Sequence, residues 1–124
     1  MPEINDSVFK IEELQHNASQ ITASLNINKN SSIFEGHFPG QPVVPGACML
    51  QLVKDVLEEV LHMPILLKKA GNIKFINMIT PANNLTAKLT ISYKITDDGS
   101  ISINAILLTG EVTCFKLQAV YIKL

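Results

Sequence analysis

The run Gly36-His37-Phe38-Pro39-Gly40-Gln41-Pro42-Val43-Val44-Pro45-Gly46 leads straight into a long apolar-periodic segment, and it limits the folds open to this chain. Pro39, Pro42 and Pro45 are three of the chain's six prolines. Proline fixes φ and has no N–H to give, so the run belongs to neither a helix interior nor a central strand. It must be a stiffened loop, and one that carries a histidine. Beyond it Met49, Leu52, Val53, Val56 and Val60 recur at helical spacing, and Leu50, Leu57 and Leu61 widen the apolar face. The spacing predicts a helix over about 45–62, with Pro45 in the first helical position and Pro64 helping to end it. The backbone N–H groups of Gly46, Ala47 and Cys48 are then expected to lack intrahelical partners. A helix this broadly apolar has to be wrapped on several sides.

The flanking segments supply the wrapping. Residues 8–14 and 20–28 read as an opening pair of strands, the second marked by the alternation Ile21, Ala23, Leu25, Ile27. After Pro64 the chain reads as strand. From Ala87 the residues Leu89, Ile91, Tyr93 and Ile95 point one way, and Thr86, Lys88, Thr90, Ser92 and Lys94 the other, as in a sheet with one wet face. Asp97-Asp98-Gly99 marks a turn. Ile101, Ile103, Ala105 and Leu107 repeat the pattern, Thr109-Gly110 breaks it, and residues 111–123 form a last long strand. One helix with several antiparallel strands is an α+β layout. At 124 residues the chain is expected to form one domain over 1–124.

Composition narrows the function classes. With 47% hydrophobic and 17% charged residues the chain is expected to be globular, and a net charge of −1 gives no pull toward nucleic acid or an anionic membrane. The first residues show no basic, then apolar, leader pattern, and no run approaches the roughly 20 apolar residues needed to cross a bilayer. The expected setting is cytoplasmic, with no nucleic-acid and no membrane partner. Cys48 and Cys114 lie far apart and outside metal-ligand spacing, so both are expected to be reduced apolar fillers, with no metal bound.

The motif Gly-His-Phe-Pro-Gly-x-Pro-Val-x-Pro-Gly before a helix resembles the signature of the FabA/FabZ-type 3-hydroxyacyl-acyl-carrier-protein dehydratases, which have the hotdog fold. The likeness extends upstream to Asn30 and downstream through Ile73-Lys74-Phe75 and Ile79-Thr80-Pro81. It implies an antiparallel sheet wrapped around the helix. It also implies that His37 exchanges the proton next to a thioester carbonyl, a task suited to imidazole with its unperturbed pKa of ~6.5. The backbone N–H of Gly46 would polarise that carbonyl, which the geometry of a helix start supports independently. Close packing is the other use of a glycine there. Phe38 and Ala47 would contact substrate.

One position departs from the family. Its members carry Glu or Asp where Gln51 stands here, fourteen residues after His37. An amide can hold a hydroxyl or a water but cannot donate a proton at neutral pH. Asp55, four residues on, shares a helix face with Gln51, and is the expected replacement: a carboxylate moved by one turn of ~5.4 Å that reaches the site directly or through a water. The alternative is a polar stripe of Gln51, Asp55, Glu58 and His62 that is either solvated or at a subunit contact. His16 and His62 are expected at the surface, and Lys68, Lys69 and Lys74 are either a docking cluster for an acidic carrier protein or ordinary solvated lysines.

The expected function is interconversion of 3-hydroxyacyl and trans-2-enoyl thioesters carried on acyl carrier protein or coenzyme A, with His37, Gln51 and Asp55 as the catalytic candidates and no cofactor. The resemblance implies a homodimer or a higher homo-oligomer. Two alternatives stand beside it: a non-catalytic acyl-binding or structural subunit paired with an active hotdog homologue, and an acyl thioesterase.

Overall fold

The computed structural model describes residues 8–36, 43–82 and 84–124. Its elements run β1 (Phe9–Asn17), β2 (Gln20–Ile27), α1 (Ile33–Gly36), α2 (Gly46–Leu61), β3 (Ile65–Phe75), β4 (Thr86–Ile95), β5 (Ile101–Thr109) and β6 (Val112–Lys123). The strands form one antiparallel sheet in the order β1-β2-β4-β5-β6-β3. This is the α+β arrangement that the alternation and the long helical segment predict.

The core forms where two periodicities meet. Ile21, Ala23 and Leu25 of β2, Leu89 and Ile91 of β4, Ile101, Ile103 and Leu107 of β5, and Leu117 and Tyr121 of β6 are all buried. Met49, Leu52, Val53, Val56 and Leu57 of α2 join the same cluster. Burying one such aliphatic side chain is worth roughly 1.5–3 kcal/mol, so the helix is held by its packing rather than by intrinsic propensity. α2 ends at His62, a left-handed C-cap whose N–H donates to the Glu58 carbonyl at 2.9 Å. The Glu58 carboxylate then accepts from the Ile65 N–H at 2.9 Å, which ties the helix end to the start of β3.

Two local expectations need correction. Pro45 is the N-cap of α2, not its first helical residue, with φ −65° and ψ 147°. A proline already restricted to that φ adopts an extended cap without cost. As a result the Cys48 N–H is bonded to the Pro45 carbonyl at 3.0 Å, and among the described residues the Gly46 and Ala47 N–H groups have no such backbone partner. The expected short opening strand also runs on to Asn17, with one extra residue between Ile11 and Glu13.

Tight turns close the β4–β5 and β5–β6 hairpins at Gly99 (φ 86°) and Gly110 (φ 61°). In the first, the Thr96 hydroxyl and the Ser100 N–H both donate to Asp98. These bonds push the Asp98 carboxyl down to about 2. An unfolded aspartate titrates near ~3.9, so the contribution to stability is fully present above about pH 4 and is lost as the pH falls toward about 2. Thermal melts across that window should show a steeper acid loss of Tm in the wild type than in Asp98→Asn. Parallel curves would mean the turn does not hold the carboxylate.

Candidate active site

The path into α2 is anchored on both sides of the proline-rich run. Upstream, β2 turns through Asn28 and Ser31 into the single turn of α1, where Phe34 is buried in the core. Downstream, the Val44 N–H donates to the Ile79 carbonyl at 2.8 Å, which sets the entry to α2 against the segment after β3. His37 and Phe38, two of the residues singled out from the sequence, lie outside the described residues.

At the start of α2 the cap makes no side-chain hydrogen bond and the first turn contains no acidic residue. The Gly46 and Ala47 N–H groups therefore keep the partial positive charge of a helix start. A Cβ placed on Gly46 would come within 2.7 Å of ring carbons of Phe75, so close packing is one reason for a glycine here. The Phe75 ring is itself stacked on buried Phe115 at 5.2 Å, yet remains 55% exposed. Sequence reasoning passed over Phe75, although it closes the Ile-Lys-Phe triplet of the resemblance. Phe75 neighbours Gly46 only because the β3–β6 register sets it opposite Phe115.

Further along α2 the Gln51 Nε2 donates to Asp55 Oδ1 at 2.8 Å. With the amide nitrogen as the donor, this bond fixes which way the amide points and leaves the Gln51 carbonyl oxygen to face other partners. Gln51 and Asp55 are exposed, and both lie on a cleft of about 240 Å³ lined also by Val8, Phe9, Ile11, Ser31, Ile33, Cys48 and Leu52. Gly46 thus sits beside Phe75, and Gln51 with Asp55 lies on the cleft. Glu58 does not belong to either group. It is engaged by Ile65 and by Lys54 at 3.6 Å, which removes it from the expected solvated stripe.

The remaining candidates are distributed as follows. Cys48 is a free thiol on the cleft wall, pushed up in pKa by burial, and Cys114 is a free thiol in the core. His16 is exposed and paired with the Tyr93 hydroxyl at 2.7 Å, and His62 is exposed at the helix end. Lys68, Lys69 and Lys74 are exposed along β3. Among the described residues no three His, Cys, Asp or Glu side chains gather into a metal-binding set, and no helix is long and apolar enough to cross a membrane.

Comparison with known proteins agrees with this layout. A 3-hydroxyacyl-[acyl-carrier-protein] dehydratase FabZ from Oenococcus oeni is 29% identical over 102 residues, covering 77% of this chain and 73% of that protein. An uncharacterized protein from Erwinia carotovora superposes with a TM-score of 0.71 at 23% identity, covering 94% of this chain and 96% of that one. The dehydratase heterocomplex ApeI:P from Xenorhabdus doucetiae superposes with a TM-score of 0.69 at 16% identity, covering 92% and 97%. The fold is the hotdog. The model of the ApeI-like family, described as ApeI dehydratase, matches residues 13–104, and the chain belongs to that family.

Proposed function

We propose that this chain interconverts 3-hydroxyacyl and trans-2-enoyl thioesters, presented on the pantetheine arm of acyl carrier protein or coenzyme A. Membership of a dehydratase family supports the reaction type. The observation that carries the site assignment is the Gln51–Asp55 pair on an apolar cleft. In the proposed step the His37 imidazole takes the C2 proton, the electron pair forms the C2=C3 bond, and the C3–O bond breaks. The departing hydroxyl takes that proton back from His37 and leaves as water, so the enzyme ends unchanged. The Gly46 N–H polarises the thioester carbonyl, which lowers the cost of the charge that develops there. The Gln51 carbonyl oxygen accepts from the hydroxyl, and Asp55 holds the amide in that orientation and supplies the negative charge that the missing family carboxylate would carry.

A second copy of the chain fits this reading. Among the described residues β3 is a long edge strand with one side unpaired, and Leu67, Ile73 and Phe75 on it are substantially exposed. Such an edge is stabilised by pairing, and a homodimer would bring a second cleft close to the first helix start. The glutamine at position 51 favours an alternative, a non-catalytic subunit working beside an active hotdog homologue. Thioester hydrolysis is the remaining alternative, and it would release free thiol.

Turnover of the purified chain with 3-hydroxyacyl and trans-2-enoyl thioesters tests the proposal, with thiol release followed in parallel. Wild-type hydration and dehydration are expected. Asp55→Asn should lower kcat, because the amide of Gln51 then loses the carboxylate that orients it. Unchanged kcat in that variant removes Asp55 from the mechanism. A wild type that is inactive, but gains turnover in Gln51→Glu, establishes the non-catalytic reading instead.

A further inference from the structure

We infer that the outer face of the sheet binds an extended, acidic peptide segment of a partner protein, seated along a row of carboxamides between two sets of lysines. The site lies across the sheet from α2 and its cleft, so it does not depend on the reaction assigned there. The net charge of −1 hides a separation of charge. The chain has 11 Asp and Glu residues, yet β2, β3, β4, β5 and β6 contain none. The buried residues of these strands join the core with α2, and the registers place Lys69, Lys74, Lys88, Lys94 and Lys116 on the opposite face. Among the described residues none of these five is in an ion pair. An ordinary wet face sets opposite charges beside one another, since such pairs are favourable and like charges directly opposite are not. Here Lys74 stands directly opposite Lys116. That pairing costs stability in the free protein, and a carboxylate between the two offsets it.

The row between the lysines identifies the ligand. The registers align Asn72, Gln118, Asn104, Ser92, Gln20 and Asn17 across β3, β6, β5, β4, β2 and β1. All of these are exposed, and among the described residues none has a side-chain hydrogen bond. Each carboxamide offers both a donor and an acceptor, as a polypeptide backbone requires. On one side of the row stand Lys74 and Lys116, and on the other Lys69 and Lys94. Hollows open on both sides of the Asn104–Gln118 rung, one lined by Lys74 and Lys116, the other by Lys69, Gly71 and Ser102. A peptide whose backbone N–H and C=O groups point down at the carboxamides sends successive side chains left and right, at period two. Glutamates on it reach the lysines on both sides. Strands lie about 4.8 Å apart, so the row spans roughly 24 Å, the length of about seven extended residues. Other anions fit less well. Among the described residues the outer face has no aromatic ring on which the bases of a single strand could stack. Sheet twist of roughly 20–25° per strand turns Lys69 on β3 and Lys94 on β4 out of a common plane, so a flat bilayer meets only some of the lysines.

Fluorescence polarisation of fluorescein-labelled dodecaglutamate, titrated with the full chain at low salt, tests the site. Binding that weakens as salt rises is expected. Lys69→Gln and Lys116→Gln should each raise Kd about two- to fivefold, and the double variant about tenfold. Asn104→Ala and Gln118→Ala leave the charge unchanged and should still raise Kd, by about two- to tenfold. Lys29→Gln, on the loop after β2, should leave it unchanged. Thermal melts without peptide check the fold of each variant. Lys116→Gln should match or exceed the wild-type Tm, because the opposed pair is gone. No binding of the peptide at low salt overturns the inference. So does a Lys29→Gln variant as impaired as Lys116→Gln, or a carboxamide pair whose loss changes nothing, since the attraction is then unspecific. Phosphatidylglycerol vesicles or duplex DNA that bind more tightly than the peptide, through the same lysines, replace it with a membrane or nucleic-acid surface. Holo acyl carrier protein that displaces the peptide makes the face a dock for the carrier instead.

Discussion

Replacing His37 with alanine is expected to lower the dehydration rate by about 10²–10⁴-fold, the range set by removal of a general acid–base group. In the proposed step one imidazole both removes the C2 proton and returns it to the leaving hydroxyl, so no second residue can cover for its loss. The effect should fall on kcat rather than KM, as expected when an interaction made only in the transition state is removed. The wild-type pH profile should carry a limb that the residual activity of the variant lacks. His16→Gln is the control, since His16 is exposed on β1 and engaged with Tyr93, away from α2. Circular dichroism of each variant separates loss of chemistry from loss of fold. Turnover that survives in His37→Ala would end the proposed mechanism.

The second large effect is on stability. Leu57 lies on α2 at 0% exposure, in the cluster that joins the helix to the inner face of the sheet. Leu57→Ala removes buried methyl groups and leaves a cavity that the surrounding strands close only in part, at a cost of about 2–5 kcal/mol. Domains of this kind have roughly 5–15 kcal/mol of stability to lose, so the variant should sit at the edge of folding. Urea unfolding is the measurement: the midpoint should fall while the slope is retained. Leu50→Ala, on a half-buried position of the same helix, should cost clearly less. A midpoint shift in Leu57→Ala no greater than in Leu50→Ala would mean that α2 does not pack as described.

Sequence patterning reached the parts of this fold that obey one periodicity. α2 and strands β2, β4 and β5 could be read almost residue by residue, because each keeps a single face buried along its length. β3 was legible only as generic strand, and the reason is its irregular pairing. It has one extra residue between Leu67 and Lys69 and another between Ala70 and Asn72. Leu67, Ala70, Ile73 and Phe75 consequently face Tyr121, Ala119, Leu117 and Phe115 of β6, although their own spacing is three, three and two. Period-two alternation cannot reveal a strand that changes face twice. At the site, the i, i+4 spacing was enough to put Gln51 and Asp55 on one helix face, and the structure adds the hydrogen bond between them. The cleft walls were not foreseeable. Ile11 and Ile33 come from separate segments and meet α2 only after the sheet has formed, and the contact between Phe75 and Gly46 depends on the same irregular β3 register.

The strand order has a consequence for how the chain is made. β3 is synthesised directly after α2, but its partner in the sheet is β6, and residues 76–111 must emerge between them. Throughout that interval β3 has neither side of its backbone paired, and Leu66, Leu67, Ile73 and Phe75 have no strand beside them. Pairings this distant in sequence form late and slowly, and an apolar strand with open edges is the species that aggregates while it waits. β6 also joins β5, so its arrival completes two ladders at once. Translational stalling between residues 76 and 111 should therefore leave an aggregation-prone nascent chain, and completion of β6 should be the step that makes it safe.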